Sequence, residues 1–240
     1  MIVEAASAAA ARLFTREFRA VLWKSLGLTI LALIGLWFVI TGVFEAFALP
    51  SLQSLLPDLP DWTSWFGWIA AILAGIALAL GLGLQIAPVT ALVAGLFLDD
   101  VAEITEKEDY PQDGPGRALP LASSIFVSAK FLLLVVAGNL FALLLLLIPG
   151  VNFIAFFVVN GYLIGREFFE FAALRFRSEV EAKALRRRNA GTVFLAGLII
   201  AGVLSVPVVN LIGPLFAAAM MVHLHKAVSA REAREVRPGG

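Results

Sequence analysis

The chain has 240 residues, of which 60% are hydrophobic and 15% charged, with a mean hydropathy of +0.92. This balance excludes a soluble domain of that length and places the chain in a bilayer. The absence of cysteine excludes disulfides, iron–sulfur ligation and thiol nucleophiles, and with a net charge of zero it is the distribution of charges that informs.

The start, MIVEAASAAAARLF, has no basic residue ahead of its alanine run and is expected to stay on the protein rather than act as a cleaved leader. Residues 1–23 read as an interfacial amphipathic helix, because Phe14, Phe18, Val21 and Leu22 set an apolar face against Arg12, Arg16 and Arg19. A first long transmembrane helix is expected over 24–49. Beyond Lys24 at its start, Glu45 is its one ionisable side chain and lies near the outer interface, five residues before Pro50.

All 18 Lys and Arg fall into four groups, 12–24, 107–130, 166–188 and 226–237, while PSLQSLLPDLPD at 50–61 carries only Asp58 and Asp61. Basic residues mark the cytoplasmic side, so both termini and two connections are expected there and 50–61 outside. Trp62, Trp65 and Trp68 then sit where an interfacial aromatic belt belongs. The second long helix, 62–98, holds 37 residues without a charge. That is about 55 Å of helix, more than a bilayer core accommodates upright, and Pro88 is its expected kink. Ala71, Gly75, Ala79, Gly83, Ala87, Ala91 and Gly95 recur every fourth residue, a ridge on which a partner helix could pack closely; pore lining is a weaker reading.

An acidic, Pro- and Gly-rich connection follows at 99–120, and two apolar hairpins are expected at 123–165 and 189–225, ahead of a cytoplasmic tail at 227–240. IPGVNFI at 148–154 returns as VPVVNLI at 206–212. The first arm, Phe131–Ile148, is long enough to span, but the other three are short. Val151–Gly165 and Thr192–Val206 each have 15 residues and Pro214–Leu224 has 11, before charges intervene. Fifteen residues make about 22 Å of helix, too little to cross comfortably, so each pair reads as a wedge that enters and leaves on the cytoplasmic side; two full spans are the alternative. A turn at membrane depth frees backbone groups that lipid cannot satisfy. Asn152 and Asn210 could serve those groups, or could present amides beside helix N-termini to an anion.

Arg166 and Glu170 are spaced to pair on one helix face at the close of the first hairpin. RFRSEVEAKALRRR at 175–188 reads as a mixed-charge helix at anionic headgroups rather than a nucleic-acid surface. NGYLIG at 160–165 contains a GxxxG, and His223 and His225, two apart, point to different faces and suggest no metal site. No GxSxG, HExxH or GxxxxGK occurs, so neither an enzyme nor an ATPase is expected.

IAPVTAL at 86–92, IPGVN at 148–152 and VPVVNLIGP at 206–214, in that order and spacing, resemble the CysZ family of bacterial sulfate permeases, which includes etoposide-induced-protein-like membrane proteins. The resemblance runs from Leu13 to Lys226. It implies an all-α integral membrane protein with two long transmembrane helices and two hemi-penetrating helical hairpins over 24–226. It also implies assembly as a homo-oligomer in the bacterial inner membrane, and sulfate uptake for cysteine biosynthesis without an ATPase; no cofactor or metal is expected. The family's Gly-(Ile/Leu)-Arg-Arg sulfate motif falls on Glu17, Phe18, Arg19 and Ala20, its Asn in the first long helix on Thr29, and its acidic residue after the second-helix motif on Gly95. One Arg of the motif survives. The pathway residues expected here are therefore Arg19, Thr29, Asn152, Arg166 and Asn210, for sulfate or a related oxyanion. A non-transporting protein that uses its wedges to shape the bilayer or hold partners is the alternative.

Overall fold

The computed structural model describes residues 1–48, 50, 64–114, 116–118, 120, 126, 129, 133, 137, 151–206, 209 and 211–236, and every described element is helical. Helix α1, Ile2–Arg12, is alanine-rich, with Glu4 in its first turn and Arg12 in its last, the arrangement that suits the helix dipole. It ends at a tight turn in which the Thr15 hydroxyl donates to the Arg12 carbonyl at 2.9 Å. Helix α2, Arg16–Val43, starts at once. Residues 16–23 are thus the first turns of the long helix, not the end of an interfacial one, because no Pro or Gly interrupts the chain before Gly27. A π-helical turn, Phe44–Ala48, follows and leaves Glu45 exposed. Among the described residues, Arg16–Phe47 is long and apolar enough to cross a membrane, and only 6% of its most apolar window is buried.

Helix α3, Ser64–Leu96, has 33 residues and runs through Pro88 without a break; it is about 50 Å long. The stretch read as an acidic connection is largely helical instead. Helix α4, Leu98–Asp109, buries Leu98, Val101, Ala102, Thr105 and Glu106, an i, i+3, i+4, i+7, i+8 stripe that composition alone obscured. A 3-10 turn follows at Pro111–Asp113.

Helix α5, Val151–Leu174, has 24 residues and continues nine positions past Gly165, where the first hairpin was expected to close. Its charges did not stop it because they find partners, as described below. The arm at 131–148 and the turn at 148–150 lie outside the described residues, Ala137 and Leu133 apart. Helix α6, Glu179–Arg188, opens on a capping box: the Ser178 side chain accepts from the Glu181 N–H, and the Glu181 carboxylate accepts from the Ser178 N–H. Helix α7, Ala190–Leu204, bends 88° from α6. Asn189 sits at the bend, its amide donating to the Leu185 carbonyl at 3.0 Å and its side-chain oxygen accepting from Arg231 at 2.7 Å. Helix α8, Gly213–Val236, also has 24 residues. Its apolar stretch ends at Val222, and the helix then runs on through His223 and Lys226 into the segment expected to be tail.

The chain divides into two compact units, Met1–Ser25 with Ala91–Gly240, and Leu26–Thr90. In the first, α8 is central and packs on α1, α4, α5 and α7, burying Leu215, Ala217–Met221 and Leu224. The tightest seam is α5 on α7. A β-carbon added at Gly197 would stand 1.9 Å from the Gly161 carbonyl oxygen and 2.8 Å from the Gly165 α-carbon. The GxxxG of α5 is therefore a contact between bare backbones. On the ridge expected on α3, an added β-carbon at Gly75 would meet nothing within 4 Å among the described residues. In the second unit the lateral surface is apolar, with Ile30, Leu31, Ile34, Phe38, Ile72 and Leu73 all exposed.

Candidate functional site

Of the five residues nominated from sequence, Arg19, Thr29 and Arg166 have described side chains. Arg19 is exposed on α2, and Thr29, ten positions later in the sequence, is buried. Asn152 lies in the first turn of α5, with its side chain outside the described residues, and Asn210 lies outside them altogether.

Arg166 is the informative member. Its guanidinium is one-third exposed, with Nε 3.6 Å from Glu170 and 3.9 Å from Glu167. The expected i, i+4 pair therefore forms, but loosely. Glu170 is held more closely by Arg186 of α6, at 2.6 Å, and Arg166 Nε is buried without a hydrogen-bond partner among the described residues. Of the two cations on Glu170, Arg166 keeps more of its charge for other business.

Sequence reasoning missed most of the polar organisation. Arg175, which it set at a headgroup surface, is fully buried just past α5. It grips Glu106 through Nε at 2.6 Å and a terminal nitrogen at 2.9 Å, and its other terminal nitrogen reaches Asp99. Burial opposes the Arg175 charge, but Glu106 and Asp99 together outweigh it and raise the pKa. Gly116 donates its N–H to Glu106 at 3.0 Å, and Arg117 donates its N–H to the Arg175 carbonyl at 2.8 Å. A β-carbon at 116 would stand 2.9 Å from Glu106 Oε2 and 3.0 Å from Arg175 and Phe176, so a side chain there would press on this cluster. The pairs span 69 and 76 positions, and no local pattern announces them. The capping box at Ser178 was legible as S-x-x-E and shows where α6 begins.

A second cluster ties α1 and α8 to α4. Arg12 clasps Asp109 with two nitrogens, one at 2.8 Å, and meets Glu108 with the third. Asp109 lies 3.5 Å from His223 Nε2, and the Tyr110 hydroxyl is 2.9 Å from His223 Nδ1. Burial pushes the Tyr110 pKa up, with help from Asp109 and Asp113. Lys226 sits 3.0 Å from Asp113 and 3.6 Å over the Phe176 ring, a cation–π contact. Phe176 also stacks on His225, with ring centroids 5.6 Å apart. Burial first, and then Arg177 and Lys226, drive the His225 pKa down to about 3. Both histidines thus have packing and hydrogen-bonding roles.

These clusters pair cations with carboxylates at the polar ends of apolar helices, an arrangement that can hold helices in register and leave a small number of cations accessible to anions. No curated protein matches the chain. Residues 5–214 match the family described as Sulfate transporter CysZ/Etoposide-induced protein 2.4, nearly the whole chain, and the protein belongs to that family.

Proposed function

We propose that the protein is a membrane permease for sulfate or a related small oxyanion, passive or ion-coupled, and that it serves sulfur assimilation and cysteine biosynthesis. It is a homo-oligomer in the bacterial inner membrane, multi-pass, with both termini cytoplasmic and its two hairpins dipping in from that side. The observation that carries the reading is the family match over residues 5–214. Support comes from the apolar Arg16–Phe47 helix with its exposed flank, and from the gathering of basic residues in ion-paired clusters beyond the apolar stretches.

Arg166 is the cation best placed to meet the anion, because Arg186 has already taken Glu170. Arg19 supplies a second, exposed charge at the start of α2. Sulfate flux into proteoliposomes tests the function: uptake above empty vesicles is expected, with a loss of about tenfold, roughly one good charge-assisted contact, in Arg166→Ala. Flux equal to empty vesicles refutes transport. Flux untouched by both Arg166→Ala and Arg19→Ala refutes the site and spares the function.

A second reading, a non-transporting scaffold that shapes the bilayer, is favoured by one observation: Arg12, Arg175, Arg186 and Lys226 are each committed to carboxylates. It predicts flux at the empty-vesicle level from a correctly folded protein.

A further inference from the structure

Of the basic residues in 175–188, the fold takes most out of use. Arg175 is buried on Glu106 and Asp99, Arg177 donates to Ser229, Lys183 pairs with Glu179, and Arg186 with Glu170. Two remain. Arg187 is exposed and meets no carboxylate among the described residues, and Arg188, 73% exposed, is held by Glu232 at 3.8 Å. Helix α8 brings more positive charge to the same corner. Arg231 donates to the Asn189 side-chain oxygen, one residue from Arg188, at 2.7 Å, and Arg234, three residues on, is exposed. Against these four guanidinium groups stand two carboxylates, Glu232 at 3.8 Å from Arg188 and Glu235 at 3.5 Å from Arg231. The corner keeps a positive charge, in planar forks that match phosphate oxygens.

What adjoins the corner decides between ligands. Helix α7 leaves it at 88° to α6 and carries no charge over its 15 residues. Gly191, Leu195 and Gly202, at i, i+4 and i+11, line one face of α7. Leu195 is 51% exposed, and β-carbons added at Gly191 and Gly202 would meet nothing within 4 Å among the described residues. A shallow apolar flank therefore begins at Gly191, three residues past Arg188. A free inorganic anion would use the arginines and leave the flank bare. An anionic phospholipid fits both, with its phosphate on the forks and an acyl chain along α7. Helix α6, at a right angle to α7, then lies along the surface that α7 enters, with Val180 and Arg187 on the face opposite its buried Ala182 and Leu185.

We propose that the corner between α6 and α7 binds an anionic phospholipid, its headgroup phosphate on Arg187, Arg188 and Arg231 and an acyl chain on the face of Gly191, Leu195 and Gly202. The site rests on the membrane placement of α7 given above and does not depend on transport.

Thermal unfolding of the full chain, delipidated in a neutral detergent, tests this with phosphatidylglycerol and phosphatidylcholine of matched acyl chains, and with inorganic phosphate. Phosphatidylglycerol at a hundredfold excess over its Kd is expected to raise the melting temperature by about 5 °C or more, and the other two by far less. Arg187→Gln combined with Arg188→Gln is expected to leave the lipid-free melting temperature unchanged and to weaken phosphatidylglycerol about tenfold or more. Arg187→Gln alone, at a side chain with no ion pair to lose, is expected to weaken it several-fold. Lys107→Gln combined with Arg117→Gln removes the same charge elsewhere and is expected to leave the lipid response intact. Three results would overturn the proposal: phosphatidylcholine or phosphate stabilising as much as phosphatidylglycerol, a full lipid response in the Arg187 and Arg188 variants, or an equal loss in the Lys107 and Arg117 control. A chain silent in flux but responsive to phosphatidylglycerol loses transport alone, and the reverse result loses the lipid site alone.

Discussion

Replacing Gly197 with alanine inserts a methyl group where α7 rests on the backbone of α5. The added carbon would begin 1.9 Å from the Gly161 carbonyl oxygen, against the roughly 3 Å that real contacts keep, so the two helices must part by about 1 Å. A gap of that size forfeits about a quarter to a half of each dispersion contact along the seam. The obstacles are backbone atoms, which have no rotamer to escape into, so the overpacking cost belongs at the upper end of the usual range, about 3 kcal/mol. Alanine returns about 1 kcal/mol of helix propensity, which leaves a net loss of about 2 kcal/mol. For a chain of this size that lowers the melting temperature by about 4–8 °C. The internal control is Gly202→Ala in the same helix, where an added β-carbon meets nothing within 4 Å and the propensity gain stands alone. Thermal unfolding of both variants in one detergent, followed by monodispersity after heating, reads the difference. Equal melting temperatures for Gly197→Ala and the parent would refute the close seam and the packing role assigned to Gly161 and Gly165.

Three more expectations follow from the polar clusters. Arg175→Leu strands Glu106 in a dry interior and costs about 3–5 kcal/mol, seen as poor expression or a much lowered melting temperature; adding Glu106→Leu should recover part of the loss, and no recovery would show that the arginine acts otherwise than through its charge. Ser178→Ala removes half of the capping box and costs about 1 kcal/mol, so a melting temperature within error of the parent would argue against the cap. His225 has its pKa depressed to about 3 in the fold, so below the ordinary value of 6.5 the unfolded chain binds the extra proton and the folded chain does not. Stability attributable to this group is complete above about pH 6.5 and falls as pH drops toward about 3, by at most about 1.4 kcal/mol per pH unit; His225→Phe should flatten that part of the profile, and an unchanged slope would refute the assignment.

Much of the architecture was legible in the residues, and the reasons it was not all legible are specific. The charge-free run at 62–98 showed a long helix, and the motifs at 86–92, 148–152 and 206–214 pointed to the family that residues 5–214 match. Helix ends were misplaced wherever a charge was taken as an exit. Arg166, Glu167 and Glu170 looked like the end of an arm, yet α5 continues because Arg186, 16 positions from Glu170, arrives from the next helix to neutralise it. His225 and Lys226 looked like the end of another, yet Phe176 stacks on the first and Asp113, 113 positions away, pairs with the second. Sequence spacing reports partners three or four residues apart and is silent about those. Helix α4 is the case where the signal was present and overlooked: Leu98, Val101, Ala102 and Thr105 have helical spacing inside a segment whose acidity suggested a loop. Of the nominated residues, Arg166 acquired a geometry, whereas Asn152 and Asn210 were chosen for positions whose side chains lie outside the described residues.

The grip of Arg175 on α4 has a consequence for biosynthesis. Asp99 and Glu106 leave the ribosome 76 and 69 residues ahead of the cation that neutralises them. Until that arginine is made, the amino-terminal half carries two acids that no dry interior will accept, so α4 must wait in water or at the headgroups. Completion of the bundle is thereby coupled to synthesis of its second half. A chain released early would lack the arginine that Asp99 and Glu106 share, and would keep at α4 the contacts of Arg12 to Glu108 and Asp109.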